Sequence, residues 1–359
     1  MRILQIIDSL EAGGAERMAV NYANALSEKI EFSGMVVTRK EGALSNQLSK
    51  KVPYLFLNKK RSIDLKALFQ LRKFVLQNKV EIVHAHGTSF FMATMLKSIC
   101  PKIKIVWHEH YGARAKQSIT DNLVLFIFSI FFSSVFVVNY QLEIWVKKNL
   151  FSKKVHYIPN FIPSDENQSN STVTILKGNE GRRIVCLANL KNPKNHIALL
   201  IAFEEMKLQR LGWSLHLIGK DYKDDYSHYL KEFLRINNLE KDVFIYDTRG
   251  DIQNILSQAT IGVLCSTDEG FPVSLLEYGL AHLAVISTNV GNCPEIIKDG
   301  FSGLLIDPLN NLQLQEQLQK LILNKTVRDN FGLHLHELVL ENYSIEKGEQ
   351  LLLSIYKAL

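Results

Sequence analysis

The sequence is short of several features, and each shortage removes a class of protein. It has four cysteines, Cys100, Cys186, Cys265 and Cys293, widely spaced and with no Cys-x-x-Cys pair. A disulfide framework and a zinc ribbon are therefore excluded, and the thiols read as reduced core residues. It lacks an apolar run of the roughly 20 residues that cross a bilayer. The longest candidate, Leu123 to Val138, has sixteen residues without a charge and is split by Ser133 and Ser134, so a buried helix followed by a buried strand is expected. The start, MRILQIID, reads as a strand entering a glycine loop and lacks the build of a signal peptide, so a cytoplasmic protein is expected. There is no Gly-x-Gly-x-x-Gly fingerprint and no acidic residue closing a second strand about 20 residues later, which disfavours a nicotinamide enzyme. No repeat, low-complexity segment or aromatic-basic interleaving is present, and no nucleic-acid partner is expected.

What is present is an ordinary globular composition, 47% hydrophobic and 22% charged, on a chain of 359 residues that is too long for one typical core. Apolar runs alternate with helical patterns, which predicts βα units and parallel sheets. Strands are expected near 2–8, 32–38, 53–57, 80–84, 103–107, 134–138 and 155–158, and again near 184–188, 214–218, 243–246, 260–265, 284–288 and 303–306. Helices fill the intervals, and two more, near 326–340 and 345–358, end the chain. The polar stretch after Pro163 sets the boundary, giving an N-terminal domain over 1–163, a linker over 164–182 and a C-terminal domain over 183–340. Charge divides in the same place. Residues 1–160 hold 23 Lys+Arg against 11 Asp+Glu, a net of +12, and the remaining 19 against 25 give −6. The first half is thus expected to meet an anionic surface. Its basic stretch Asn58 to Lys79 carries a helical stripe of Leu65, Leu68, Phe69, Leu71, Phe74, Val75 and Leu76, which suits either an anionic membrane or a helix packed on a sheet; the second is favoured.

The stretch Val263 to Gly279, VLCSTDEGFPVSLLEYG, carries the chemistry. A buried strand runs into a Gly-Phe-Pro corner and then a helix, with Glu269 in the loop and Glu277 two turns into the helix. Backbone N–H groups of the loop Gly270, Phe271, Pro272, Val273 and Ser274 would face a ligand at the positive end of that helix. Ligands of open α/β sheets bind outside the carboxyl ends of the strands, where this corner falls, so a phosphate-bearing ligand such as a nucleotide sugar is expected. Gly13 and Gly14, in LEAGGAER after the first strand, would let a phosphate approach a second helix start. In LANLKNPKNH, Lys194 is placed to neutralise a diphosphate. His84 and His86, and His108 and His110, sit at presumed strand ends, each pair straddling an end, which argues against paired metal ligands; a hydrogen-bonding role in a sugar site is expected, with His110 foremost. No two aspartates are spaced Asp-x-Asp, so charge stabilisation without a metal, and with no other cofactor, is expected.

Together GGAER, EIVHAHG, YIPNFI, LANLKNPKNHIALLIAF, EGFPVSLLE and VGNCPEIIKDGFSGLL resemble the retaining GT-B glycosyltransferases of family 4 over nearly the whole chain. EGFPVSLLE matches that family's Glu-x7-Glu signature. The resemblance implies two doubly wound Rossmann-like domains facing across a cleft, with the last helix, within 341–359, returning to the N-terminal domain. It implies that Glu277 binds the ribose hydroxyls and that Glu269 and nearby N–H groups hold the donor sugar. Lys194 would sit on the diphosphate, Gly14 would face the phosphate or sugar, and His110 would lie beside the transferred sugar. It implies front-face transfer from a nucleotide-diphosphate sugar to an acceptor hydroxyl, in surface polysaccharide or glycolipid synthesis; the basic surface of the N-terminal domain adds the expectation of a saccharide or lipid-linked saccharide acceptor presented at the inner membrane face, with peripheral attachment there. Where many members carry an arginine five residues before the lysine, this chain has Asn189, with Arg182, Arg183 or Lys191 as candidate substitutes. A non-catalytic sugar-nucleotide-binding scaffold, or a GT-B epimerase or phosphorylase, are the alternatives.

Overall fold

The computed structural model describes residues 1–162 and 173–359. It separates into two compact units, Met1–Ser164 together with Ile345–Leu359, and Asp165–Ser344. Of the linker expected over 164–182, residues 164–172 lie outside the described residues, while Thr174 and Leu176 are tied to the second unit. The Thr174 N–H donates to Asp251 Oδ2 at 2.6 Å, and the Leu176 N–H to Gln258 Oε1 at 3.0 Å.

The first unit runs β1 (Arg2–Ser9), α1 (Gly14–Ser27), β2 (Phe32–Lys40), β3 (Tyr54–Phe56), α2 (Leu65–Gln77), β4 (Ile82–His86), α3 (Phe90–Ile99), β5 (Lys104–Glu109), α4 (Leu123–Phe128), β6 (Phe132–Val137), α5 (Tyr140–Asn149) and β7 (Val155–Tyr157). Its seven strands pair in the order β3-β2-β1-β4-β5-β6-β7, every pairing parallel. The order reverses between β1 and β4, where a ligand crevice opens in doubly wound sheets. Helices cover both faces, so the central strands bury consecutive residues, such as Ile3, Leu4, Ile6 and Ile7 of β1.

The second unit repeats the plan with β8 (Arg183–Leu187), α6 (His196–Glu205), β9 (Ser214–Ile218), α7 (Asp225–Ile236), β10 (Val243–Tyr246), α8 (Ile252–Ser257), β11 (Ile261–Leu264), α9 (Val273–Leu280), β12 (Ala284–Thr288), α10 (Cys293–Ile296), β13 (Leu304–Ile306), α11 (Asn311–Leu323) and α12 (Lys325–Tyr343). The strand order is β10-β9-β8-β11-β12-β13, again wholly parallel, and it reverses between β8 and β11. The last helix, α13 (Ile345–Lys357), packs in the first unit, where Gly348 meets the Phe161 ring and Tyr356 reaches the interior. All four cysteines are free and buried, as their apolar settings predict.

Two expectations are corrected. The charge-free run from Leu123 does not form a buried helix: Leu123, Val124, Ile127, Ile130 and Phe131 are exposed, and Leu125 is the buried residue of α4. Only the following strand is covered. No described helix is long and apolar enough to cross a membrane. Of the histidine pairs, His108 and His110 straddle the end of β5 as expected, but His84 and His86 do not straddle an end. β4 extends to His86 and β5 to Glu109, so His84 and His86 are alternate residues of one strand and share a face. Helix α2 buries Ala67, Leu68, Leu71 and Val75 and leaves Leu65, Phe69 and Leu76 exposed beside its basic residues.

Candidate functional site

In the second unit the Glu269 loop joins the carboxyl end of β11 to α9, next to the switch point. Three side chains converge there. Glu269 Oε1 accepts from Lys194 Nζ at 2.6 Å and from the Ser266 hydroxyl at 2.5 Å. The Glu269 and Lys194 side chains are 8% and 22% exposed, so the pair is shielded without being closed off. The Lys194 loop, which contains a cis Asn192–Pro193 peptide bond, is fastened to β11 by the Thr267 N–H donating to the Pro193 carbonyl at 2.8 Å.

Backbone geometry sets this corner. Thr288 Oγ1 donates to the Ser266 carbonyl at 2.7 Å, linking β12 to the loop. Gly291 has a φ of +52°, and a Cβ there would strike the Glu269 carbonyl, so glycine is required on two counts. The Asn292 N–H then donates to the Gly270 carbonyl at 3.1 Å. Pro272 is the N-cap of α9 in extended conformation and offers no side-chain cap, leaving the first N–H groups of Val273 and Ser274 for a ligand or solvent. Phe271 packs edge-on against Tyr343 at 5.3 Å. Glu277 is 6% exposed on α9, and the adjacent Tyr278 hydroxyl accepts the Leu187 N–H at 2.7 Å, bracing α9 against the end of β8.

Asn189 is occupied in a backbone contact, its Oδ1 accepting the Lys220 N–H at 2.9 Å. It therefore pins the loop after β8 to the loop after β9. Arg182 and Arg183 do not substitute for the missing arginine. They stand at the amino end of β8, where Arg182 donates to Leu211 O, and Arg183 to the carbonyls of Lys177, Gly178 and Gln258. Lys191 shares the Lys194 loop, and its ammonium lies 6.0 Å from the Tyr222 ring.

In the first unit, Gly13 is the N-cap of α1 and Gly14 its first residue. The Glu16 carboxylate lies against Gly13 where a Cβ would stand, so a phosphate approaching that glycine meets this carboxylate first. His110 belongs to a buried stack. Its Nε2 bonds His86 Nδ1 at 2.9 Å, its ring lies 4.0 Å from that of His108, and His86 Nε2 reaches Gln5 Oε1 at 2.9 Å. His84 bonds His108 at 3.2 Å and the Tyr356 hydroxyl of α13 at 2.6 Å. Burial pushes the His110 pKa down to about 3 and holds His84, His86 and His108 well below the ordinary histidine range. Nitrogens of His84, His86 and His108 fall within 4.8 Å of one another, a spacing that can hold a metal ion. Five of their six nitrogens are engaged with one another, Gln5, Tyr356 and His110, while His108 Nε2 is buried without a partner among the described residues.

Sequence reasoning missed Ser266, Thr288 and Gly291. Their places are common ones that residue type alone does not mark: Ser266 follows β11 three residues before Glu269, Thr288 ends β12 and Gly291 stands in the turn after it.

Residues 12–166 match the family described as Glycosyltransferase Family 4, and residues 169–333 the family described as Glycosyl transferases group 1. A Methanocaldococcus jannaschii protein named as an uncharacterised glycosyltransferase is 27% identical over 49% of this chain, a match that spans half the length of that relative. The UDP-Gal:alpha-D-GlcNAc-diphosphoundecaprenol alpha-1,3-galactosyltransferase of Escherichia coli is 24% identical over 83% of this chain and 82% of its own. Among solved structures, Anabaena HepE crystallised with UDP and glucose superposes with a TM-score of 0.82 at 17% identity, covering 100% of both chains.

Proposed function

Because the chain belongs to the family 4 glycosyltransferases and has their GT-B fold, we propose that it moves a sugar from a nucleotide-diphosphate donor to a hydroxyl of a lipid-linked saccharide, with retention and without a metal. The observation that carries this reading is the Lys194–Glu269–Ser266 cluster at the mouth of α9, with Glu277 about one turn along the same helix. Lys194 neutralises the diphosphate as the bond from the anomeric carbon to its oxygen breaks. The positive end of α9 adds to that stabilisation. Glu269 holds sugar hydroxyls, and Glu277 accepts hydrogen bonds from the ribose. His110, kept neutral by burial, stands beside the transferred sugar as a hydrogen-bonding group. The acceptor oxygen bonds to the anomeric carbon on the face the diphosphate leaves, and its proton passes to the departing phosphate oxygen. No protein nucleophile is consumed; the chain contributes position and charge.

The acceptor class is supported by the named Escherichia coli relative, whose name gives a diphosphoundecaprenol-linked sugar as its own acceptor. It suits the basic first half and the exposed apolar residues Ile127, Ile130 and Phe131, which would face a membrane surface. The test is incubation of UDP- and GDP-sugars with polyprenyl-diphosphate-linked saccharides in EDTA, reading the product anomer by NMR. Transfer with the donor's anomeric configuration supports the reading. Inverted product, a requirement for added metal, or sugar isomerisation without acceptor contradicts it.

A further inference from the structure

Lys59 is a lysine whose side chain is largely covered, in a basic stretch whose other lysines are exposed. It follows β3, where its N–H donates to the Thr38 carbonyl of β2 at 2.7 Å. The residue is 5% exposed, yet among the described residues its ammonium makes no hydrogen bond and no ion pair. Its stem is covered while the ammonium itself keeps contact with solvent, so an unpaired positive charge stands open to an anion, and desolvation with Arg39 nearby makes that charge costly to hold. The charges acting on it are Asp8, Arg39 and Asp64. Both carboxylates are engaged elsewhere. Asp8 accepts from the Thr38 hydroxyl, from Thr88 Oγ1 at 2.6 Å, and faces Arg39 at 3.9 Å. Asp64 caps α2, accepting from the Ala67 N–H at 3.1 Å. Two cations, Lys59 and Arg39, are thus gathered against one shared carboxylate, Asp8.

The position matches the chemistry. Asp8, Thr38 and Arg39 lie at the carboxyl ends of β1 and β2, and Thr88 follows β4, across the point where the strand order of this sheet reverses. The geometry points to an anion subsite in the first unit, formed by Lys59 and Arg39 with the Thr88 hydroxyl at its edge, that takes a phosphate group carried by the acceptor. Its assignment to the acceptor rests on the transferase reading above; the anion subsite itself does not. Lysine and arginine together suit a diphosphate, one as a compact charge and the other as a planar fork.

The experiment is calorimetric titration of sodium pyrophosphate, at low salt, into Lys194→Met and into Lys59→Met/Lys194→Met. Removing Lys194 weakens the donor-side diphosphate site in both proteins. Saturable binding in the first, weakened about tenfold or more in the second, is the expected result, the size of one charge-assisted contact. Equal affinity in the two proteins, or no binding to Lys194→Met, overturns the subsite. Lys59→Met is also expected to melt at or above the wild-type temperature, because a partly desolvated, unpaired ammonium beside Arg39 is replaced by a thioether of similar length; a lower melting point would make Lys59 a structural residue and overturn the proposal. Phosphatidylglycerol vesicles separate the two sources of phosphate. Pyrophosphate retained in their presence supports an acceptor group, whereas its displacement overturns the acceptor assignment in favour of a bilayer headgroup. UDP titrated separately into wild type and Lys59→Met judges the donor reading, and its failure leaves the pyrophosphate result intact.

Discussion

Glu269 has two partners of different kinds, and they can be removed one at a time. Ser266→Ala deletes a hydroxyl that orients the carboxylate and leaves Lys194 in place. The expected result is a kcat lower by about tenfold with KM little changed, the size of one hydrogen bond to a charged group. A change confined to KM would mean that Ser266 acts on ground-state binding. Gly291→Ala places a methyl group against the Glu269 carbonyl at a φ of +52°. It should lower stability by roughly 1–3 kcal/mol, read as a shift of the denaturant midpoint. An unchanged midpoint would show that the loop moves aside freely. At this scale the sequence was partly readable. Glu269, Glu277 and Lys194 announce themselves by residue type and spacing. Ser266 and Gly291 do not, because a serine after a strand and a glycine in a turn occur for many reasons. Asn189 was singled out as a lost charge, and its engagement with the Lys220 backbone is a matter of loop geometry that spacing does not encode.

Among the elements, β4 and β5 hold a store of pH-dependent stability. Four stacked imidazoles are kept neutral by burial, their pKa values depressed below the ordinary value near 6.5. A depressed base is neutral in the folded state and protonated in the unfolded one at mildly acid pH. The unfolded chain therefore binds more protons there, and stability falls as pH drops. The loss begins near pH 6.5 and continues towards the folded value, about 3 for His110. Each histidine can add up to about 1.4 kcal/mol per pH unit inside that window. Denaturation midpoints should be flat above pH 7.5 and fall steadily from 6.5 to 5, with a shallower fall in His86→Gln. A flat profile would mean that the stack is already charged or open. Tyr356→Phe should cost about 1–3 kcal/mol, because it leaves His84 Nδ1 buried without its donor; an unaltered melting curve would show that α13 docks without that bond. The order of strands and helices was legible because buried parallel strands are continuous apolar runs. Strand ends were not. A shift of two residues in β4 turned the histidine pair from one straddling an end into one sharing a face. Composition also misled at α4, since an apolar run says nothing about whether a second surface covers it.

For the molecule as a whole, two parallel sheets share one plan, and the two halves of the chain differ in net charge. The first half is net basic and the second net acidic. Each sheet has one reversal in strand order, and each places its unusual polar groups beside that reversal: Lys194, Ser266 and Glu269 in one unit, Asp8, Arg39 and Lys59 in the other. This doubling was foreseeable from the alternation of βα patterns, while the basic pair was not, because Lys59 belongs to a run of lysines that reads as solvated surface. The exposed apolar side chains of α4 and of the turn after it give a further expectation. Ile127→Glu together with Ile130→Glu should abolish flotation with vesicles of phosphatidylglycerol while leaving the melting temperature unchanged, since neither residue is buried. Flotation that persists in this variant would remove α4 from the membrane contact.

The most direct test of the account is a calorimetric titration of UDP and GDP into the wild-type chain and into Glu277→Ala, both in EDTA. The account predicts saturable binding of at least one nucleotide to the wild type without metal, and a loss of about tenfold or more when the Glu277 carboxylate is removed. Binding that needs added metal, or that is indifferent to Glu277, would contradict it.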